Sequence, residues 1–157
     1  MDFINQYKIP IIIGVVVVIL ITIYNTMLKK RNKVKTAFSS LDVMLKKRYD
    51  LMPNLVSMVQ KYMAHESDLL TRLTELRVKA QNTNSIDESI EINNQIDDTM
   101  RKLNVSVEGY PDLKSNQNFL HMQAELNDVE EQISAARRTY NAHVESYNNF
   151  VGMIPMN

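Results

Sequence analysis

The chain has 157 residues, with 18 basic and 18 acidic side chains and no cysteine. The missing thiols exclude disulfides, thiolate metal sites and a cysteine nucleophile, and they fit a reducing compartment. The neutral total hides a split, since residues 1–35 hold six cations and one anion, leaving twelve basic against seventeen acidic residues in 36–157, a net of −5; a body of that sign argues against nucleic acid as a partner.

In chain order, the first predicted element is a membrane span. Ile9 to Leu28 is a run of 20 residues without a charged side chain, hydrophobic on every side around Leu20. At about 1.5 Å per residue it reaches ~30 Å, the hydrocarbon thickness of a bilayer. A cleaved signal peptide would carry its cations before the apolar run and a small-residue site after it. Here Lys29, Lys30, Arg31, Lys33 and Lys35 follow the run, and only Lys8 precedes it. Basic flanks stay in the cytoplasm, so the expected topology is N-terminus outside with the remainder cytoplasmic. The cations suit anionic headgroups, and Tyr7 and Tyr24 would sit near the two interfaces. The expected organisation is an anchor over 1–28, a basic juxtamembrane segment over 29–35 and a helical domain over 36–157.

Beyond the anchor the apolar pattern is helical. Steps of four and three from Val34 give Val34, Phe38, Leu41, Leu45, Arg48, Met52, Leu55, Val59 and Tyr62, with Arg48 the only non-apolar position. The same stepping from Phe119 through Met122, Leu126, Val129, Ile133, Ala136, Tyr140, His143 and Tyr147 to Phe150 meets only His143 as an exception. These are heptad seams of two long, coiled-coil-like helices. Pro53 lies within the first, and because the seam keeps its phase through it, a kink is favoured over a new start capped by Asp50.

Two shorter helices are expected between them. Leu69, Leu73, Leu76 and Ala80 form one stripe; Ile86, Ile90, Met100, Leu103 and Val107 form a weaker one, interrupted by Ser89, Asn93 and Asn94. Gln81 to Asn84 reads as the turn between them and Ser85 to Glu88 as a capping box. Gly109-Tyr110-Pro111-Asp112 breaks the chain, so the last helix should begin near Ser115 or Asn116 and end around Gly152, ahead of Pro155. The predicted fold is all-α: a single transmembrane helix followed by an antiparallel four-helix bundle of two long and two shorter helices.

The run Arg48-Tyr49-Asp50-Leu51-Met52-Pro53-Asn54-Leu55-Val56, then Tyr110-Pro111-Asp112-Leu113-Lys114-Ser115-Asn116-Gln117-Asn118-Phe119, then Tyr140-Asn141 and Tyr147-Asn148, resembles the LemA family of small bacterial membrane proteins. The resemblance extends from about Tyr24 to the C-terminus. It implies one N-terminal span, a bundle of long helices and a cytoplasmic body, without an agreed molecular activity and with only loose links to membrane organisation and membrane proteases. Members usually continue past the final proline with an apolar and basic tail, whereas this chain stops at Asn157.

Catalytic motifs are not found. His65-Glu66 lacks a second histidine at helical spacing, which excludes a zincin, and no glycine-rich phosphate loop or nucleophile elbow is present. No catalytic residue, metal or cofactor is therefore expected, and Asp97-Asp98 and Glu130-Glu131 read as solvated outer charge. Two readings of Arg48 stand: its stem is buried while its head snorkels to water, or it forms an internal ion pair, with Glu125 or Asp128 as the first choice. His143 reads as a hydrogen-bonded core or rim histidine, against a pH-sensing or metal role. Tyr140/Asn141 and Tyr147/Asn148 recur at seven residues and so share faces, either for packing or as a polar stripe for a partner helix. The Tyr110 to Asn118 segment is a structural connector or a recognition surface.

The expected function is a membrane-anchored helical scaffold or adaptor, not an enzyme, that presents an acidic cytoplasmic bundle to protein partners or the membrane surface; its partners are the bilayer and other membrane proteins, with homo-oligomerisation open. The alternative is a regulator sensing a ligand or pH through Arg48, His143 and neighbouring carboxylates. A deep polar pocket at those residues would favour the sensor, and a packed seam with a polar outer stripe the scaffold.

Overall fold

A computed structural model describes residues 2–83 and 85–154, with side chains for all of these but residues 2–6 and 87. Described residues are helical or lie in short connections, and none is in a strand. The helices are α1 (Asp2–Val59), α2 (Ser67–Asn82), α3 (Ile86–Val107), the single turn α4 (Pro111–Lys114) and α5 (Gln117–Val151), with a 3-10 turn at Ala64–Glu66 after α1. The chain divides into two compact units, one formed by Met1–Leu41 with Ala136–Asn157 and the other by Asp42–Ala135.

Helix α1 runs unbroken through the apolar run, the basic cluster and the seam beyond, including Pro53. In the first unit, residues 7–22 of α1 are exposed throughout. Thr22 and Thr26 return their hydroxyls to the carbonyls of Val18 and Thr22, each at 2.8 Å, so neither hydroxyl is left without a partner on that apolar surface. Further on, one face of α1 becomes covered: Ile23, Thr26, Met27, Lys30, Val34 and Phe38 are half-buried, and Ala37 and Leu41 are buried. Phe38 meets Tyr140 of α5 at 5.8 Å between ring centroids, in a tilted pair, and Lys30 donates to Ser146 Oγ at 2.7 Å. The same ammonium lies 5.5 Å from the centre of the Phe150 ring, within cation–π reach.

In the second unit the seam of α1 is buried at Leu45, Met52, Leu55 and Val59, and Met63 rather than Tyr62 continues it. Tyr62 lies past the helix end, where the chain turns, and is exposed. The stripe of α2 is Leu70, Leu73, Leu76 and Ala80, with Leu69 only half-buried. That of α3 is Ile92, Ile96, Leu103 and Val107, whereas Ile86 and Ile90 are exposed. The expected stripe is thus buried at Leu103 and Val107 and half-buried at Met100 but not at Ile86 and Ile90, and Asn93, which interrupts the apolar pattern, is itself buried. Phe119, Leu126, Val129 and Ile133 of α5 complete the core. Each such side chain contributes about 1.5–3 kcal/mol when fully withdrawn from water.

Local signals hold at the helix ends. Ser85 Oγ accepts from the Glu88 N–H at 3.4 Å, while the Glu88 carboxylate accepts from the Thr83 hydroxyl at 2.5 Å instead of returning to Ser85. Gln81 and Asn82 belong to α2, so the turn is shorter than expected, and Asn84 lies outside the described residues. Pro111 occupies the first position of α4, where its missing N–H costs nothing. Asn116 then caps α5, its Oδ1 accepting from the N–H groups of Asn118 at 2.9 Å and Phe119 at 3.1 Å. Asn116→Ala should lower stability by about 1 kcal/mol in urea unfolding, the ordinary loss for an N-cap. Helix α5 ends at Val151, and Pro155 lies outside the described residues.

Candidate functional site

The chemistry of the second unit gathers around Arg48, which is 3% exposed. The seam turns it inward, and α3 supplies its partners from two successive turns. Nη2 donates to Asn93 Oδ1 at 2.5 Å and Nη1 to Asp97 Oδ1 at 2.5 Å. From α5, Glu130 Oε2 accepts from Nη1 at 3.0 Å. Arg48 Nε has no hydrogen-bond partner among the described residues.

The neighbouring Tyr49 is buried and joins the same network. Its hydroxyl donates to Asn93 Oδ1 at 2.9 Å, while Asn93 Nδ2 donates to the Ser89 carbonyl at 2.7 Å, which fixes the orientation of the amide. One buried cation thus faces two carboxylates whose outer parts reach water, Asp97 being 23% and Glu130 46% exposed. A buried guanidinium needs this arrangement, because desolvation without a counter-charge costs several kcal/mol.

Two expectations are corrected here. Arg48 pairs with Asp97 and Glu130, not with Glu125 or Asp128; Glu125 instead lies 3.7 Å from His121, one turn away on α5. Nor are the acidic pairs uniformly solvated, since Asp97 and Glu130 turn to Arg48 while Asp98 and Glu131 are exposed. Sequence reasoning also passed over Asn93, although Asn93 and Asp97 stand four residues apart beside Ile92 and Ile96, a polar pair set against an apolar stripe.

Pro53 is exposed and has no N–H for the Tyr49 carbonyl four residues back. Arg77 of α2 supplies that donor, its Nε reaching Tyr49 O at 2.8 Å. This second arginine, also unforeseen, lets α1 continue through the proline. Asn54 beside it is exposed.

The remaining candidates are dispersed. Tyr110 is half-buried, Pro111, Asp112 and Asn118 are exposed, and Leu113 between them is fully buried. In the first unit Tyr140, His143 and Tyr147 are half-buried on α5, with Asn141 and Asn148 exposed beside them. Of the anchor residues, Ile9, Leu20, Leu28, Lys29 and Arg31 are exposed, and only Lys30 is half-buried. Beside Arg48 a half-open cleft of about 280 Å³ is lined by Asp97, Asn104, Gln123, Asn127 and Glu130. Among the described residues no group of three or more histidine or acidic side chains is placed to hold a metal ion.

The profile of the LemA family matches residues 37–157, which include the Arg48 network, the α4 connector and all of α5. The chain belongs to the LemA family. A relative named Protein LemA, from Metamycoplasma hominis, is 28% identical over 127 residues, covering 80% of this chain and 58% of that protein. The chain therefore spans less than two thirds of the length of this curated LemA relative. Among the described residues of this LemA-family chain one helix, α1, is long and apolar enough to cross a membrane, and its most apolar window is exposed throughout.

Proposed function

We propose that this chain is a membrane-anchored helical scaffold or adaptor without enzymatic activity, fixed in a bacterial cell membrane by Ile9–Leu28. Its N-terminus lies outside, and the following segments form an antiparallel four-helix bundle in the cytoplasm. The observation carrying the anchor is the uninterrupted exposure of residues 7–22, an apolar surface that water would not tolerate and acyl chains would. The scaffold reading draws on the use of Arg48: its charge is taken up by Asp97 and Glu130, which leaves it a structural part of the seam. Asn141 and Asn148, exposed seven residues apart on α5, form the polar stripe offered to a partner helix.

A photo-crosslinking side chain at Asn141 or Asn148 in native membranes should give discrete protein adducts; lipid adducts alone would count against a scaffold. The topology has its own readout. A reporter active only in the cytoplasm, fused after Asn157, should be active, and neutralising Lys29, Lys30, Arg31, Lys33 and Lys35 while adding cations near Asp2 should give mixed orientation. An inactive cytoplasmic fusion with an active exported one would reverse the assignment.

The cleft beside Arg48 favours a second reading, a sensor whose polar ligand is met by the amides of Asn104, Gln123 and Asn127. His143 belongs to the other compact unit, so the support for this reading comes from the Arg48 side alone.

A further inference from the structure

The end of α5 and the N-terminal part of α1 belong to one compact unit. From Phe38 to Lys30 the contact moves eight residues back along α1, while its α5 side moves on from Tyr140 to Ser146 and Phe150, six to ten residues. The same register continued to the end of α5 brings Val151 level with about Met27, inside the uncharged run that ends at Leu28, and Gly152–Ile154 follow it as a turn. Burial along α1 agrees, because Ile23, Thr26 and Met27 are half-buried at helical spacing whereas residues 7–22 are exposed. Yet what arrives there is not itself covered: Met153 is 59% and Ile154 90% exposed.

From this we infer a second membrane contact, in which Met153 and Ile154 enter the boundary between headgroups and acyl chains on the basic side of the span. It rests on the reading of Ile9–Leu28 as that span. The occupant is lipid because these apolar side chains follow directly on Phe150, which Lys30 holds at the edge of the uncharged run, and Lys29, Arg31 and Lys33 beside Lys30 in sequence carry charges that suit phosphate. Lys30 acts as the pin. Its stem lies along α1 while its ammonium is held between Ser146 and Phe150, so the tip of α5 is fixed at the depth where the apolar run begins.

The chain has no tryptophan, so a single introduced indole reports alone. The full chain would be placed in nanodiscs of phosphatidylcholine and phosphatidylglycerol, with bromine carried either near the headgroup or near the bilayer centre. Ile154→Trp should lose roughly half its emission to headgroup-proximal bromine and little to central bromine, as expected for a side chain at the boundary. Val16→Trp should be quenched best by central bromine, and Val105→Trp, on exposed α3, by neither. If Val16→Trp is unquenched, the anchor is wrong and the second contact falls with it. If Val16→Trp is quenched while Ile154→Trp behaves like Val105→Trp, the anchor stands and the second contact is refuted.

Discussion

Converting Asp97 to Asn and Glu130 to Gln together is expected to cost roughly 3–5 kcal/mol, because it leaves the guanidinium of Arg48 buried without a counter-charge. The two changes should not contribute equally. Glu130 is nearly half exposed, so Glu130→Gln alone should cost under about 1 kcal/mol, and Asp97→Asn, the more enclosed partner, carries most of the effect. Arg48→Met behaves differently: the carboxylates left behind can turn to water, and Asn93 Oδ1 keeps the Tyr49 hydroxyl. Its cost should be about 1.5–3 kcal/mol, the order of a lost hydrogen bond to a charged group. Combining Arg48→Met with both amides should recover most of the double-amide loss, a strong departure from additivity. Urea unfolding of the full chain in detergent, followed by far-ultraviolet dichroism, measures all of these. A double amide within about 1 kcal/mol of the parent would show that the Arg48 charge reaches water.

The second large effect belongs to Pro53 and Arg77. A proline in a helix interior is about 3 kcal/mol less favourable than alanine, through the lost N–H and the push of its ring on the carbonyl four residues back. Here that carbonyl, on Tyr49, is met by Arg77 Nε, so part of the penalty is already offset. Arg77→Leu should cost about 1–3 kcal/mol, the range for stranding a buried acceptor. Pro53→Ala restores the local N–H and should stabilise the chain. In that background Arg77→Leu should cost under about 1 kcal/mol, since the carbonyl no longer depends on the arginine. Equal costs in both backgrounds would mean that Arg77 acts through some other contact.

The all-helical character and the seam of α1 were legible because a heptad repeat with few glycines leaves little else to form. Its reach was limited to the question of which face is buried. Stepping along a seam shows that Arg48 points inward but not which turn of which neighbour it meets, so Glu125 and Asp128 were as good as Glu130 until the helices were set side by side. Adjacent apolar residues caused a second failure: Leu69 and Leu70 fit equally well into a stripe, and packing chose Leu70. In α3 Ile86 and Ile90 stand seven residues before Asn93 and Asp97, on the flank of the face centred on Ile92, Ile96 and Leu103, and in the first turns of the helix they are exposed, against the apolar count. The caps at Ser85 and Asn116 were readable because capping depends on a few neighbouring residues. Arg77 was not, since the carbonyl it serves lies on another helix.

The Arg48 cluster also acts as a key for axial alignment. Leucine and isoleucine stripes on α1 and α3 repeat every turn, so apolar contacts alone would tolerate α3 sliding past α1 by one turn at modest cost. Moved one way, the slide would set Arg101 in the place of Asp97 and bring two guanidinium groups together; moved the other, it would offer Asn93 and Ser89, amide and hydroxyl, where a carboxylate is required. Only the native alignment sets Asp97 beside Glu130 on one guanidinium nitrogen and Asn93 on the other, so a single inward arginine disfavours the neighbouring registers.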